Sequence, residues 1–398
     1  MLTIKGFHVL FFINTHTTNG ELKMKKMLSL AAMLAVLSYA SPASAELKIG
    51  GDFSVRARAE FNSKDPGNLS TDDLMFQYRL RLNGAADLGD GYFFKTMLMS
   101  EEPFATSGNA AGGWRTVGGN VANTNIDAPY SLSVSQAYFG RNLKDSNYKI
   151  GRIPLNSFNN PIFDLTLYPT QPLDTPVNNY GYDRLFGANY GTKVGDGTLN
   201  ATLVVLDNSS NDVAAGLEDN GFLNDGYALS LAYAFTAGDV TIEPQIFAVL
   251  TNADVNLSPT TASFAPDANP FTFGAMLSTP VGNSKISGGA FYTSASEKLN
   301  NLENADYSGY LIRVKGESGP FMAWIDYNKT TDDLAGAATK DYTNTFLWAQ
   351  YKHVVYKGAA SSFSLQPTLR YRAQDKEVNA VQTDTATVRG ELVATVTF

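Results

Sequence analysis

The most informative regularity in this chain has a period of two residues. From Asp52 the text DFSVRARAEF places Phe53, Val55, Ala57, Ala59 and Phe61 on one side, with Asp52, Ser54, Arg56, Arg58 and Glu60 on the other. Successive side chains of a strand point to opposite faces, so this alternation predicts a two-faced β-strand. MFQYRLRLNG repeats it, with Phe76, Tyr78, Leu80 and Leu82 against Gln77, Arg79, Arg81 and Asn83. YALSLAYAF, FSLQPTLRYR and the closing TVRGELVATVTF follow the same rule. A soluble sandwich also alternates. Here, however, the polar face repeatedly carries Arg, Glu and Gln in mid-strand, and the apolar face ends in aromatics. That is the pattern of a membrane barrel, with one face toward lipid and the other lining water.

Sixteen strands are predicted: 48–60, 74–87, 91–100, 131–143, 147–155, 183–192, 197–207, 226–236, 239–250, 271–279, 284–294, 307–316, 320–329, 343–355, 362–372 and 386–398. The connections sort into two classes. Short Gly/Asp/Asn turns fall near 87–90, 144–146, 194–196, 237–238, 282–283, 317–318 and 358–359. Between them lie long connections at 61–73, 101–130, 156–182, 208–225, 251–270, 295–306, 330–342 and 373–385. Eight long and seven short is the count for an even-stranded barrel with both termini at the short-turn end. Lipid offers no hydrogen bonds to a free strand edge, so the sheet must close on itself. The fold class expected is therefore all-β, a transmembrane antiparallel barrel of about sixteen strands, wide enough to leave an aqueous lumen.

The first residues carry an address. Lys25 and Lys26 precede an apolar run from Met27 to Tyr39, and Ala43-Ser44-Ala45 offers the small residues of a cleavage position. That run is shorter than the about 20 residues a spanning helix needs. We expect residues 24–45 to be a signal peptide, 46–398 the barrel, and 1–23 an upstream extension, with translation beginning at Met24. Gly20-Glu21 can be encoded by a purine-rich stretch just ahead of that codon.

Composition narrows the chemistry. There is no cysteine, hence no disulfide, thiol catalysis or Cys-held metal. His8 and His16 fall in the leader, so His353 is the one histidine of the mature chain, and no metal cluster or cofactor site is expected. Four lysines and one glutamate also fall there, which takes the net charge from −8 to −11 and argues against a nucleic-acid partner.

Candidate functional residues follow from the faces. Arg56, Arg58, Arg79 and Arg81 all lie on the polar face of adjacent strands, a basic patch toward the lumen that either steers solutes or wets the wall in pairs with Asp52 and Glu60. The connection 156–182 has four prolines, an apolar stretch from Ile162 to Tyr168, and only Asp164 and Asp174 as charges. Such a segment suits packing against the inner wall, where it would constrict the pore. Either aspartate, facing the arginines, would set up a transverse field. The competing reading leaves it outside, against other loops or a neighbouring subunit. The Gly-rich AAGGWRTVGG within 101–130 could arch over the rim or latch a neighbour. Glu218-Asp219 with Asp225 could bridge divalent cations to lipopolysaccharide, or simply be solvated.

Three motifs carry a family resemblance: the ending GELVATVTF with terminal Phe398, Ala137-Tyr138-Phe139-Gly140, and Tyr148-Lys149-Ile150-Gly151-Arg152 immediately before the third long connection. In these the chain resembles the general porins of gram-negative bacteria. The resemblance implies a trimer of sixteen-stranded barrels in the outer membrane that passes hydrophilic solutes and ions. It also implies that Phe398, Val396 and Leu392 form the signal read by the outer-membrane assembly machinery. The 156–182 connection departs from many relatives in its few acidic residues and many prolines, which puts an acidic constriction in question. The rival readings are a barrel enzyme, which lacks a partner for His353, a channel selective for sugars, phosphate or organic anions, and an adhesin or structural barrel.

Overall fold

The computed structural model describes residues 46–67, 69–100, 113–116, 132–155, 159–171, 184–207, 225–251, 253–256, 264–299, 302–334 and 337–398. Each of the sixteen expected segments is a strand. In chain order these are β1 Glu46–Asp65, β2 Leu69–Gly89, β3 Tyr92–Ser100, β4 Leu132–Asn142, β5 Ser146–Pro154, β6 Arg184–Val194, β7 Gly197–Asp207 and β8 Gly226–Ala237. There follow β9 Val240–Thr251, β10 Phe271–Val281, β11 Ser284–Leu299, β12 Leu302–Ser318, β13 Phe321–Asp332, β14 Lys340–Tyr351 (continued by His353–Lys357), β15 Ser362–Val378 and β16 Val381–Thr397. One helical turn and a half, α1 Ile162–Leu167, sits in the connection after β5.

Every neighbouring pair is antiparallel, and β1 pairs with β16 from Asp52↔Thr397 to Asp65↔Asp384, which closes the ring. Past the last paired rung, the amides of Gly51 and Phe398 exchange hydrogen bonds of 2.8 and 3.0 Å with each other's carbonyls. The terminal aromatic is thus stitched into the seam. No edge strand remains among the sixteen.

The faces obey the alternation, but with soluble-protein logic reversed. Along β12, Arg313 is 1% exposed while its neighbour Val314 is 51% exposed. Phe53, Val55, Ile150, Ile312 and Leu392 point outward, whereas Arg56, Arg58, Gln77, Asp326 and Glu391 are buried inside. Charged groups on the sheltered side and apolar ones on the open side make sense when the outer solvent is lipid.

The short turns behave as expected. Gly195, Gly238, Gly282 and Gly319 each hold φ between 54° and 61° at the first turn position, a conformation glycine reaches without a Cβ clash and one that fits the twist of tight hairpins.

Three of the long connections differ from expectation. Residues 61–73 and 373–385 are mostly strand: β1 and β2 pair out to Lys64↔Leu69, and β15 and β16 to Val378↔Val381 around Asn379-Ala380, both with positive φ. The stretch 295–306 likewise continues as paired β11 and β12 out to Leu299↔Leu302. The physical reason is that alternation needs two solvents. At 61–73 and 373–385 most side chains on both faces meet water, so the hairpin keeps its backbone ladder while its side chains become evenly polar. In 295–306 the alternation is lost differently, with Ala295 and Ala305 buried beside Ala268 and Tyr307. The connection 251–270 carries a small hairpin of its own, Ala253–Asn256 with Phe264–Ala268.

A charge placed on the outer face should therefore be far more costly than one placed inside. Val55→Arg is expected to lower the free energy of folding into lipid vesicles by about 2–4 kcal/mol, measured by reversible urea titration. Thr395→Lys, on the lumen side, should cost much less. Equal costs would contradict the assignment of faces.

Candidate functional site

The lumen has two unlike walls, and the first is basic. Arg56 and Arg58 on β1 and Arg370 on β15 converge on one carboxylate, Glu391 of β16, at 3.2, 2.5 and 2.6 Å. Arg56 also donates to Gln77 Oε1 at 2.7 Å. Nearby, Arg81 binds Asp52 at 2.8 Å and Arg389 binds Glu60 at 2.5 Å. The register explains the convergence: Arg58 stands opposite Glu391, Arg370 opposite Arg389, and Arg56 opposite Gln77. Among the described residues three guanidiniums share this one carboxylate, an excess of positive charge on this patch of wall.

Aromatic rings fill the spaces between these cations. Trp114 lies 4.1 Å from the guanidinium carbon of Arg56 and 4.7 Å from that of Arg79. Arg370 sits 4.0 Å over Trp348, which stacks on Trp324 at 4.9 Å and 11°. Arg313 stands 5.6 Å from Trp324 and holds Asp326 in a bidentate pair with two bonds of 2.6 Å. A belt of alternating guanidinium, indole and carboxylate groups thus runs from β12 through β16 to β2. Its centre is a cavity of about 230 Å³ whose lining includes Arg56, Arg79, Arg81, Lys352 and Arg370 and, among the described residues, a single carboxylate, Glu391, between Trp114 and Trp348.

The other wall carries the inward-folded segment. Ile162, Phe163, Leu165 and Leu167 of α1 are buried against Val204, Ala228, Phe247, Phe291 and Leu311, lumen-side residues of β7, β8, β9, β11 and β12. The rings of Phe163 and Phe247 approach to 4.4 Å. Polar ties hold the segment along its length. Lys315 donates to Asn159 at 2.8 Å, Asn160 to Gln245 at 2.5 Å, and Thr166 shares a 2.6 Å bond with Thr272. Asn328 and Thr330 donate to the carbonyl of Pro169, and Asn344 and Gln374 to that of Thr170. The segment therefore follows the inner wall from β7 to β15, ending beside the basic belt. Pro161 begins α1 and Pro169 follows its end, so two prolines confine the helix to six residues.

Of the residues singled out from sequence, Arg56, Arg58, Arg79 and Arg81 share one wall, and Arg56, Arg79 and Arg81 line one cavity. Asp164 does not oppose them across open water. It is fully buried in α1, with both carboxylate oxygens shielded from solvent, and α1 packs on strands half the ring away from β1. Burial and the adjacent Asp164 push the Tyr168 phenol up to about 12, so that ring stays neutral. Asp174, Glu218 and Asp219 lie outside the described residues. Asp225 accepts a bond from its neighbour's Tyr227 hydroxyl at 3.3 Å. Val396, Leu392 and Phe398 all face outward.

Sequence reasoning missed Glu391 as a hub, and with it Arg370, Lys352 and the three tryptophans. One signal was available. Trp324 shares parity with Asp326 and Asn328, and Trp348 with Asn344, so both stand on the wet face where large aromatics are out of place. Nothing local marked Trp114, which lies in a Gly-rich connection.

No protein-family model matches the chain, and no curated protein matches it by sequence. Solved outer-membrane structures do match its backbone. The anion-selective porin from Comamonas acidovorans aligns over 88% of this chain and 100% of its own, with a TM-score of 0.51 and 13% identity. The outer membrane channel DcaP of Acinetobacter baumannii aligns over 90% and 99%, at 0.51 and 13%. OmpT expressed in the outer membrane of Vibrio cholerae aligns over 90% and 99%, at 0.50 and 12%. Identity this low carries architecture and not solute. The closed sixteen-stranded ring, its reversed faces and this likeness together show that the chain has the fold of the bacterial outer-membrane porins.

Proposed function

We propose that this chain is a passive diffusion channel of the outer membrane that admits small hydrophilic solutes and ions with a preference for anions. The observation that carries the reading is the basic belt: three guanidiniums on one carboxylate, beside a cavity lined by five cationic side chains. Such a wall serves little purpose on a sealed or purely structural barrel. An ion about 8 Å from one uncompensated charge in water feels about 0.5 kcal/mol. Two such charges favour an anion over a cation by about 2 kcal/mol before screening, and a Debye length of about 10 Å at 0.1 M salt removes more than half of that. A several-fold anion preference that fades with salt is the expected result.

Several further parts of the reading rest on the sequence. Residues 24–45 serve as an export signal cleaved after Ala45, and 1–23 precede the true start. The segment 156–182 acts as the constriction loop, a role supported by the packing of α1 on lumen-side residues. Phe398, Val396 and Leu392 present the assembly signal. The barrel sits among outer-membrane lipid and lipopolysaccharide as a homotrimer, the assembly implied by the family resemblance. The reading is of a channel and not of a catalyst, and rests on the lumen described above; His353, the one histidine after residue 45, stands at the short-turn end of β14. The second reading, a channel selective for one class of organic anion, is favoured by the two indoles, Trp114 and Trp348, that line the 230 Å³ cavity together with its cationic side chains. Saturable block by one solute class, and not by others, would select it.

Planar-bilayer recording tests the central claim. Replacing Arg56, Arg58, Arg79 and Arg81 with Gln should shift the reversal potential in a salt gradient toward cation preference, whereas Glu391→Gln should shift it toward stronger anion preference. An unchanged potential in both would remove the belt from the conduction path, and no conductance from the wild type would end the channel reading. Deleting residues 162–167 should raise single-channel conductance; an unaltered step size would mean the segment does not limit flow. Intact mass of protein extracted from outer membranes should correspond to a chain beginning at Glu46, and a mass retaining the leader would overturn the cleavage assignment.

A further inference from the structure

Trp114 is the one tryptophan of the belt that does not sit on one of the sixteen strands. β3 ends at Ser100, and the described piece Gly113–Thr116 of the following connection returns to the wall, where Thr116 pairs with Gln77 and Arg115 with Tyr78 on β2. Ser100 marks the junction: its hydroxyl donates to the Gly113 carbonyl at 2.8 Å and accepts from the Leu80 amide at 3.1 Å. This return places the Trp114 indole against two guanidiniums from different strands, Arg56 of β1 and Arg79 of β2. Trp114 is only 8% exposed, and the little it shows faces the cationic cavity.

A guanidinium can be held in place by a carboxylate or by a ring, and the two differ in what remains for a passing ion. A carboxylate cancels the charge it binds. An indole face attracts a cation through its quadrupole but carries no net charge, and a planar guanidinium is suited to that stacking. It also displaces water from one side of the cation, which strengthens the field left on the other side. Elsewhere on this wall carboxylates do the holding: Asp52 for Arg81, Glu60 for Arg389, Asp326 for Arg313. At Arg56 the single carboxylate is already shared with Arg58 and Arg370.

We propose that Trp114 is a positioning residue that sets anion preference, by holding Arg56 and Arg79 side by side at the cavity without neutralising them. The proposal deepens the channel reading and rests on it for its transport consequence. It assigns to the connection after β3 a part in selectivity beside that of the wall strands, which carry the arginines themselves. The ions concerned are small anions in general, since the contact made is to charge and not to shape.

The test compares wild type, Trp114→Phe and Trp114→Leu as full-length barrels refolded in detergent, with strand content checked by circular dichroism. In a potassium chloride gradient across a planar bilayer, Trp114→Leu should lower the chloride-to-potassium permeability ratio by about twofold or more, because both guanidiniums lose the ring face that positions them. Trp114→Phe keeps a quadrupolar face and should retain most of the ratio. An unchanged ratio in Trp114→Leu would overturn the proposal. So would an equal loss in both variants, which would signal mere packing. A second readout does not need conduction. The fluorescence difference between wild type and Trp114→Phe isolates Trp114, and iodide should quench it several-fold more strongly than caesium at low ionic strength once each ion is scaled to its quenching of free N-acetyltryptophanamide. If the wild type fails to conduct, the channel reading falls by itself. Preferential iodide quenching would then still support Trp114 as an anion-attracting station, and equal quenching by the two ions would refute it.

Discussion

Every other feature of this molecule depends on one constraint: no backbone amide or carbonyl can be left unpaired in hydrocarbon. An open sheet of these strands would have two unpaired edges, each a row of groups costing several kcal/mol apiece when stripped of water. The β1–β16 seam removes both, and the exchange of hydrogen bonds between Gly51 and Phe398 extends it to the last residue of the chain. Closure then fixes the rest. A ring of sixteen strands is too wide for its own side chains to fill, so the interior must be wet, and the inner face must be made of residues that prefer water.

A wet interior still has to be shaped, and the chain uses two different kinds of packing for this. On the β7–β12 side, a short helix with an apolar face is pressed onto Phe247, Phe291 and Leu311, and the hydrophobic effect holds it there. Hydrogen bonds from wall amides to the carbonyls of Pro169 and Thr170 then fix the path of the segment beyond the helix. On the β13–β2 side no helix is inserted among the described residues. There the wall is kept rigid by side chains that hold one another, guanidinium on indole and guanidinium on carboxylate. The first arrangement supplies a physical barrier and the second a charge, and the two meet where Thr170 reaches Asn344 and Gln374, on the strands that also bear Trp348 and Arg370.

Glu391 shows why the belt is more than a row of arginines. Like charges a few ångströms apart repel, and an isolated cluster of Arg56, Arg58 and Arg370 would splay into the lumen. A single carboxylate between them offsets part of the repulsion while leaving the sum positive. The rings of Trp114 and Trp348 do the remaining positioning without subtracting charge.

The strands, their number, their order and which face looks outward were all determined by the sequence, because a period of two is imposed locally wherever a strand has different solvents on its two sides. For the same reason the alternation of Phe53, Val55 and Phe61 with Arg56 and Arg58 located both the lipid face and part of the basic wall. Where the solvents are the same, the signal vanishes, and the hairpin ends around 61–73 and 373–385 read as loops although their backbones are paired. The position of Asp164 was likewise beyond reach: its place in the chain suggested a charge facing the arginines, and only the packing of α1 turned it into the wall. The contacts that define the site join residues far apart in the chain, such as Arg58 to Glu391, or Trp114 to Arg56. Such pairs are set by the shear and closure of the whole ring, a property of all sixteen strands at once that no local stretch of sequence contains.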